Sequence, residues 1–93
     1  MLTESLPMHI FVKLRLRDKR VTTIMEDWRV EIEEVENVII TCFEDLGILS
    51  IEPILEEYCF DTMITWLKTS PGIFRLKQKA REDEIRRLRK KRD

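Results

Sequence analysis

Residues 8–17 alternate between apolar and polar side chains, which is typical of a strand with one buried face. After a short turn, residues 21–32 are rich in β-branched residues and include Trp28, so they fit a second strand. A lone strand would leave both of its edges unpaired, whereas two adjacent strands can pair with each other. We therefore predict a β-hairpin over about residues 8–32.

The second part of this stretch also fits a helix, and this ambiguity decides the fold class. Thr23 and Glu26 would form a capping box, and apolar residues recur at intervals of three and four from Ile24 to Leu46. In this alternative the chain is mainly α-helical, with one N-terminal strand that pairs across a dimer.

Downstream of the hairpin the pattern changes to the helical period. Residues 33–46 combine a wide apolar stripe with acids in the first turn, and Gly47 supplies a stop. A second helix is predicted over 51–68, with Ser50 as its N-cap and Pro53 tolerated in the first turn. Its apolar residues cover most of its circumference, so we expect either a central core helix or one that meets another chain.

The last segment is basic and helical, and it follows a Ser-Pro-Gly break at residues 70–72. Its apolar positions are sparse, so we expect it to project into solvent. Together these patterns predict an α+β fold. In chain order it comprises a hairpin (8–32), two helices on which the hairpin packs (33–46 and 51–68) and a basic C-terminal helix (73–92).

One local stretch resembles a known family. MHIFVK at 8–13 and VENVI at 35–39 are similar to the opening strand and first helix of ubiquitin-like domains. The similarity covers less than half of the chain, and we interpret it as a shared ββα pattern rather than as a family assignment.

The formal net charge is −1, but the charges are distributed unevenly. Between Val21 and Asp61 twelve acids face a single base, Arg29, whereas from Arg75 onward ten bases face four acids. We accordingly expect two parts: a compact acidic domain of residues 1–72 and a basic helical tail of residues 73–93.

The apolar content and the cysteines bear on the compartment. A hydrophobic fraction of 43% is enough for a core, and no apolar stretch reaches the roughly 20 residues needed to cross a bilayer. Cys42 and Cys59 lie in apolar segments without a local partner, and MLTESLPMHIFVK lacks the features of a secretory signal. We expect reduced core cysteines, a cytoplasmic and/or nuclear location, and no membrane partner.

The spacing of reactive residues does not favour catalysis. His9 is the single histidine, and no Ser or Cys is spaced to form a nucleophile–base pair with it. Adjacent carboxylates such as Glu33 and Glu34 diverge by about 100° on a helix, and two distant cysteines do not make a tetrahedral zinc set. We therefore expect no enzyme activity, no cofactor, no metal and no small-molecule substrate.

Surplus hydrophobicity indicates a protein-binding surface. The helix predicted over 51–68 has more large apolar residues than one packing face can use, and Phe11 lies opposite the apolar face of its strand. Large aromatic residues dominate the energetics of interfaces. We predict an interface with a partner protein or a second copy of the chain, formed by Tyr58, Phe60, Met63, Trp66, Leu67 and Phe11.

The densest basic cluster is the RRLRKKR stretch near the C-terminus, which suits phosphates, an acidic protein surface or an import receptor. The favoured function is a small non-enzymatic adaptor, regulatory or accessory subunit. The alternative is non-specific RNA or DNA binding, in which the basic face of the first strand joins the tail. In either case the site for an anionic partner comprises Arg86, Arg87, Arg89, Lys90, Lys91, Arg92, Lys13, Arg15 and Arg17.

Overall fold

The computed structural model describes residues 4–69 and 72–92, and the fold is mostly helical with a small two-stranded sheet. The strands pair antiparallel, with Leu6 opposite Ile51. In chain order the elements are strand β1 (Leu6–Pro7), helices α1 (Met8–Arg15), α2 (Lys19–Ile24) and α3 (Ile32–Asp45), strand β2 (Ser50–Ile51), a 3₁₀ turn (Pro53–Leu55), and helices α4 (Glu56–Lys68) and α5 (Gly72–Arg92).

The predicted β-hairpin over 8–32 is wrong, because most of that stretch forms α1 and α2. A helix satisfies its own backbone hydrogen bonds, so it needs no neighbouring strand. Leu14, which the alternation assigned to the core, is 60% exposed. The buried residues instead follow a helical repeat that coexists with the alternation, namely Met8, Phe11, Val12 and Leu16.

The other expectations for this region change accordingly. The local similarity to ubiquitin-like domains ends at α1, because that family opens with a strand where this chain has a helix. The mainly α-helical alternative agrees with the helical content. The strand that this alternative placed at 8–17 is wrong, because that segment forms α1. The strand found near the N-terminus is the dipeptide Leu6–Pro7, which pairs with Ser50–Ile51 of the same chain.

Helix α2 begins at a capping residue that the sequence pattern presented only as a turn. The Asp18 carboxylate accepts a hydrogen bond from the Arg20 backbone N–H at 2.9 Å, which satisfies a donor at the helix start. The same side chain pairs with the Arg20 guanidinium at 3.1 Å, and these contacts hold the pKa of Asp18 below its ordinary value. Beyond α2, Trp28 and Val30 pack half-buried against the core.

Helix α3 confirms the helix predicted over 33–46 to within one residue at each end. It ends in a Schellman motif at Gly47, whose φ of 77° lies in the left-handed region. The Gly47 N–H donates to the Glu44 carbonyl at 2.9 Å, and the Ile48 N–H donates to the Phe43 carbonyl at 3.0 Å. The predicted stop is therefore present.

The helix predicted over 51–68 is confirmed only in its later part. It begins at Glu56, because Ile51 pairs in the sheet and Pro53 starts a separate 3₁₀ turn. The helix predicted over 73–92 is confirmed as α5.

The core lies between α1, α3 and α4, and the start of α5 closes it. Leu76 of α5 is 1% exposed, and α5 packs on both α4 and α3. A Cβ atom on Gly72 would lie 2.5 Å from the carbonyl oxygen of Trp66, so glycine permits the close approach of α5 to α4. The molecule measures 58 × 22 × 21 Å, which agrees with a helix α5 about 31 Å long.

Candidate protein-binding site

Three large apolar side chains are exposed where the 3₁₀ turn passes into α4. Ile54 is 85% exposed, Leu55 46% and Tyr58 72%. We call these three residues the Tyr58 patch. They are exposed because α4 packs its other face into the core, through Cys59, Phe60, Met63 and Leu67.

Acidic side chains surround the Tyr58 patch. Residues 52–61 contain four acids and no base, and Glu52, Glu57 and Asp61 are exposed. Within the described ranges, neither Glu52 nor Asp61 forms an ion pair. The patch is therefore an apolar centre with an acidic rim.

A groove beside the patch extends the apolar surface along α1. Leu14, 60% exposed, lies on its wall. The groove borders the patch because Glu56, at the start of α4, also lines it. The remaining lining residues are Leu6, Phe11, Arg15, Arg17 and Asp18.

Two arginines, Arg15 of α1 and Arg20 of α2, contact the Phe60 ring of α4 and so connect α1 and α2 to this helix. The Arg15 guanidinium carbon lies 5.5 Å from the Phe11 ring centroid and 4.8 Å from that of Phe60, and Arg20 lies 4.5 Å from Phe60. Arg15 also approaches the Glu57 carboxylate at 3.5 Å. Such cation–π contacts contribute about 0.5–1 kcal/mol each at exposed sites. Arg15 therefore has a structural role inside the chain.

Arg17 is also engaged within the chain. It donates to Glu36 Oε1 at 2.6 Å, and Glu36 is only 7% exposed. It also donates to the Lys13 carbonyl at 2.6 Å. The basic strand face predicted from Lys13, Arg15 and Arg17 does not exist, because the segment is helical and Arg15 contacts α4 while Arg17 contacts α3.

The structure places four of the six predicted interface residues in the core of this chain. Phe60, Met63 and Leu67 are 0% exposed. Phe11, expected on the outer face of a strand, lies on α1 and is 1% exposed, because the helical repeat turns it inward.

The other two predicted interface residues lie nearer the surface. Trp66 is half-buried, and its ring centroid lies 4.9 Å from that of Phe43. Tyr58 is exposed and central to the patch. The sequence pattern did not predict Ile54 and Leu55 as interface residues, because it placed them inside a continuous helix. Pro53 was the signal that α4 begins later and that these two residues lie in a separate turn.

The distal part of α5 presents a second apolar surface, this time with a basic rim. Ile85 is 44% exposed and Leu88 56%, and residues three apart share a helix face. Arg86 and Arg89 are exposed and line a shallow depression with Ile85 and Glu82, and the Arg86 guanidinium lies 3.6 Å from the Asp83 carboxylate. We call Ile85, Arg86, Leu88 and Arg89 the Arg89 face. Of the other predicted basic residues, Arg87 is exposed, while the side chains of Lys90, Lys91 and Arg92 lie outside the described residues.

The opposite side of α5 faces the start of α3. A side-chain hydrogen bond with Asp83, burial and the Asp83 charge raise the pKa of Glu34 above its ordinary value. Glu34 and Asp83 both line the cleft between α3 and α5, so this side of α5 faces α3, and the exposed Arg89 face lies on another side of the helix. The cleft between the two helices is lined by Arg29, Glu31, Glu34, Asp83, Glu84 and Arg87.

The remaining reactive groups are isolated. His9 is exposed on α1, and Cys42 and Cys59 are free thiols whose pKa values are raised by burial. Among residues 4–69 and 72–92, no three His, Cys, Asp or Glu side chains are placed to hold a metal ion. No helix in the described part of the chain combines the length and the apolar character that crossing a membrane requires.

Comparisons of the chain with models of protein families, with curated proteins and with solved structures found no match. The interpretation of the two surfaces therefore depends on their geometry and charge.

Proposed function

We propose that this chain is a small non-enzymatic protein–protein interaction module, an adaptor, regulatory or accessory subunit that binds a protein through the Tyr58 patch. One observation carries the proposal: Ile54, Leu55 and Tyr58 are exposed together and are not part of the core. Packing of the fold does not account for three large apolar side chains at one place on the surface, whereas a binding site does. Tyrosine is enriched among the residues that dominate binding energies, and an apolar centre with a polar rim is the usual anatomy of an interface.

The basic end of α5 is the second element of this proposal. Arg86, Arg87 and Arg89 are exposed, and clustered cations steer an acidic partner surface or an import receptor towards the protein. The free thiols of Cys42 and Cys59 suit a reducing compartment, so we place the protein in the cytoplasm, the nucleus or both.

The test is affinity purification from the native cell, followed by binding measurements with the purified partner. We expect Ile54→Ser/Tyr58→Ala to weaken partner binding by about tenfold or more, because truncating an interface hot spot costs at least ~2 kcal/mol. The matched control is Leu46→Ser, which removes a 61% exposed apolar side chain at the end of α3. Equal binding by the two variants would contradict the proposal.

A second candidate function is non-specific RNA or DNA binding, and the exposed arginines of α5 favour it. The contribution expected from α1 is weaker, because Arg15 and Arg17 pair with carboxylates and are less exposed than Arg86, which stays 71% exposed although it pairs with Asp83. If the tail binds phosphates, retention on single-stranded RNA should fall steeply with salt. Each of Arg86→Ala and Arg89→Ala should then reduce the salt slope by about one. No retention at physiological salt would contradict this candidate.

A further inference from the structure

The Tyr58 patch and the Arg89 face have complementary properties. Both have large apolar side chains at their centre: Ile54, Leu55 and Tyr58 in the first, Ile85 and Leu88 in the second. Their rims carry opposite charges. Glu52 and Asp61 supply the acidic charge at the patch, where Arg15 pairs with Glu56 and Glu57, and on α5 the two arginines of the Arg89 face outnumber the neighbouring Glu82. Contact between the two surfaces would therefore bury the apolar centre of each and pair the acidic charges of one with the basic charges of the other.

Within one chain the two surfaces do not cover each other. Tyr58 is 72% exposed and Leu88 56%, so neither is shielded. Helix α5 is continuous from Gly72 to Arg92. Its inner side faces the rest of the protein through Leu76 in the core and through Asp83, which lines the cleft with α3. The Arg89 face is thus directed outward.

The two surfaces lie at the same end of the molecule, where α3 begins. The ion pair between Arg17 and Glu36 places the end of α1 there, and Arg15 contacts the first turn of α4, which carries the Tyr58 patch. Asp83 and Glu34, which is in the first turn of α3, line one cleft, and this brings the distal part of α5 to the same end. A second molecule that approaches this end therefore meets the patch and the Arg89 face together.

We propose that the Tyr58 patch is occupied by a second copy of this chain: the Arg89 face of each copy packs on the patch of its partner. The inference rests on the proposed function, because it names the partner of the same patch. Reciprocal contacts around a two-fold axis close the assembly at two copies, whereas a single head-to-tail contact would build a ring or an open filament. Since charges contribute to both contacts, the dimer weakens as salt increases.

The sharpest test is a charge exchange between two variants. Glu52→Lys/Asp61→Lys reverses the two rim charges that Arg15 does not pair, and Arg86→Glu/Arg89→Glu reverses the charges of the Arg89 face. Each variant alone places like charges across both contacts, so we expect its dimer dissociation constant, from sedimentation equilibrium, to rise about tenfold or more. An equimolar mixture has opposite charges at both contacts, so a heterodimer should form with an affinity close to that of the wild type.

The matched control is Glu44→Lys/Asp45→Lys, which makes the same charge change on exposed residues at the end of α3. Its dimer should have the wild-type dissociation constant. Circular dichroism checks that each variant is folded. If a charge variant does not fold, the single substitutions Ile54→Ser and Leu88→Ser test the same contact, and each should weaken the dimer.

Two results would overturn the inference. One is a monomeric wild type at low salt and about 1 mM protein, where even a dissociation constant of ~1 mM leaves half of the protomers paired. The other is a mixture of the two charge variants that fails to associate. If the Tyr58 patch still binds a purified foreign partner in either case, the second copy is excluded while the proposed function stands.

Discussion

The two halves of α5 are parts of one helix, but they are held in different ways. Near its start, Leu76 is 1% exposed and Gly72 lies against the Trp66 carbonyl. Near its end, Ile85 and Leu88 are 44% and 56% exposed, although they have the same apolar character. Burial by distant residues, and not helix formation, therefore separates the half that stabilises the fold from the half that is available for binding.

The largest effect that this comparison predicts is for Leu76→Ala. The substitution leaves a cavity where α5 meets the core, so we expect the free energy of unfolding to fall by about 2–4 kcal/mol. The control, Leu88→Ala, makes the same truncation in the exposed half and should change the free energy of unfolding by less than about 0.5 kcal/mol. Urea denaturation of both variants measures the difference, and equal losses would show that the two halves are not distinct.

A somewhat smaller effect is expected for Gly72→Ala. The added Cβ atom would lie 2.5 Å from a backbone oxygen of α4, so the helices must move apart, at a cost of about 1–3 kcal/mol. Gly47→Ala is the comparison, because nothing lies within 4 Å of its added Cβ and only backbone strain of about 1 kcal/mol applies. Only Gly72→Ala should also change the fluorescence of Trp66. Unchanged fluorescence and stability would argue against the close approach.

A weaker, pH-dependent effect is expected at the contact between α5 and α3. Because the pKa of Glu34 is raised in the folded protein, its contact with Asp83 stabilises the fold fully at pH values below 4.5, the ordinary pKa of this group. The contribution is lost as the pH rises through the raised value. Among the neighbouring charges, Lys79 opposes the shift and Glu31 adds to it.

Glu34→Gln keeps a hydrogen-bonding side chain without the charge. Relative to this variant, the free energy of unfolding of the wild type should fall by less than about 0.5 kcal/mol between pH 4.5 and neutral pH, because both carboxyl groups are only partly buried and solvent screens their interaction. Denaturation at several pH values measures this difference. Asp83→Ala removes the partner and should abolish the effect. A difference between wild type and Glu34→Gln that does not vary with pH would contradict the assignment.

The sequence was sufficient to predict secondary structure in those segments whose apolar residues follow only one periodicity. Residues 33–46 and 73–92 fit only a helix, and the structure agrees. Residues 8–17 fit two periods, so local pattern could not decide between them. The choice depends on which of these side chains α3, the main packing partner of this segment, covers, and that is a long-range contact.

The sequence predicted that an exposed apolar site exists, but it did not predict most of the residues that form it. Surplus hydrophobicity in 51–68 pointed to exposed apolar residues, and Tyr58 is one of them. Phe60 was indistinguishable from Tyr58 until the direction of α4 was known. The engagement of Arg15 and Arg17 was equally hidden, because their carboxylate partners lie 19 or more residues away in the sequence.

The smallest effect on stability is expected from removing the exposed half of α5 altogether. Deletion of residues 82–93 takes away the contact with Glu34 but no residue of the core that the structure describes. Unfolding should therefore remain cooperative, and its free energy should change by less than about 0.5 kcal/mol. The same deletion removes the Arg89 face, and the truncated chain should sediment as a monomer. A thermal melt followed by circular dichroism, with sedimentation in parallel, measures both properties. Loss of cooperativity would mean that the distal half supports the fold, whereas an intact dimer would mean that it does not form the contact with the second copy.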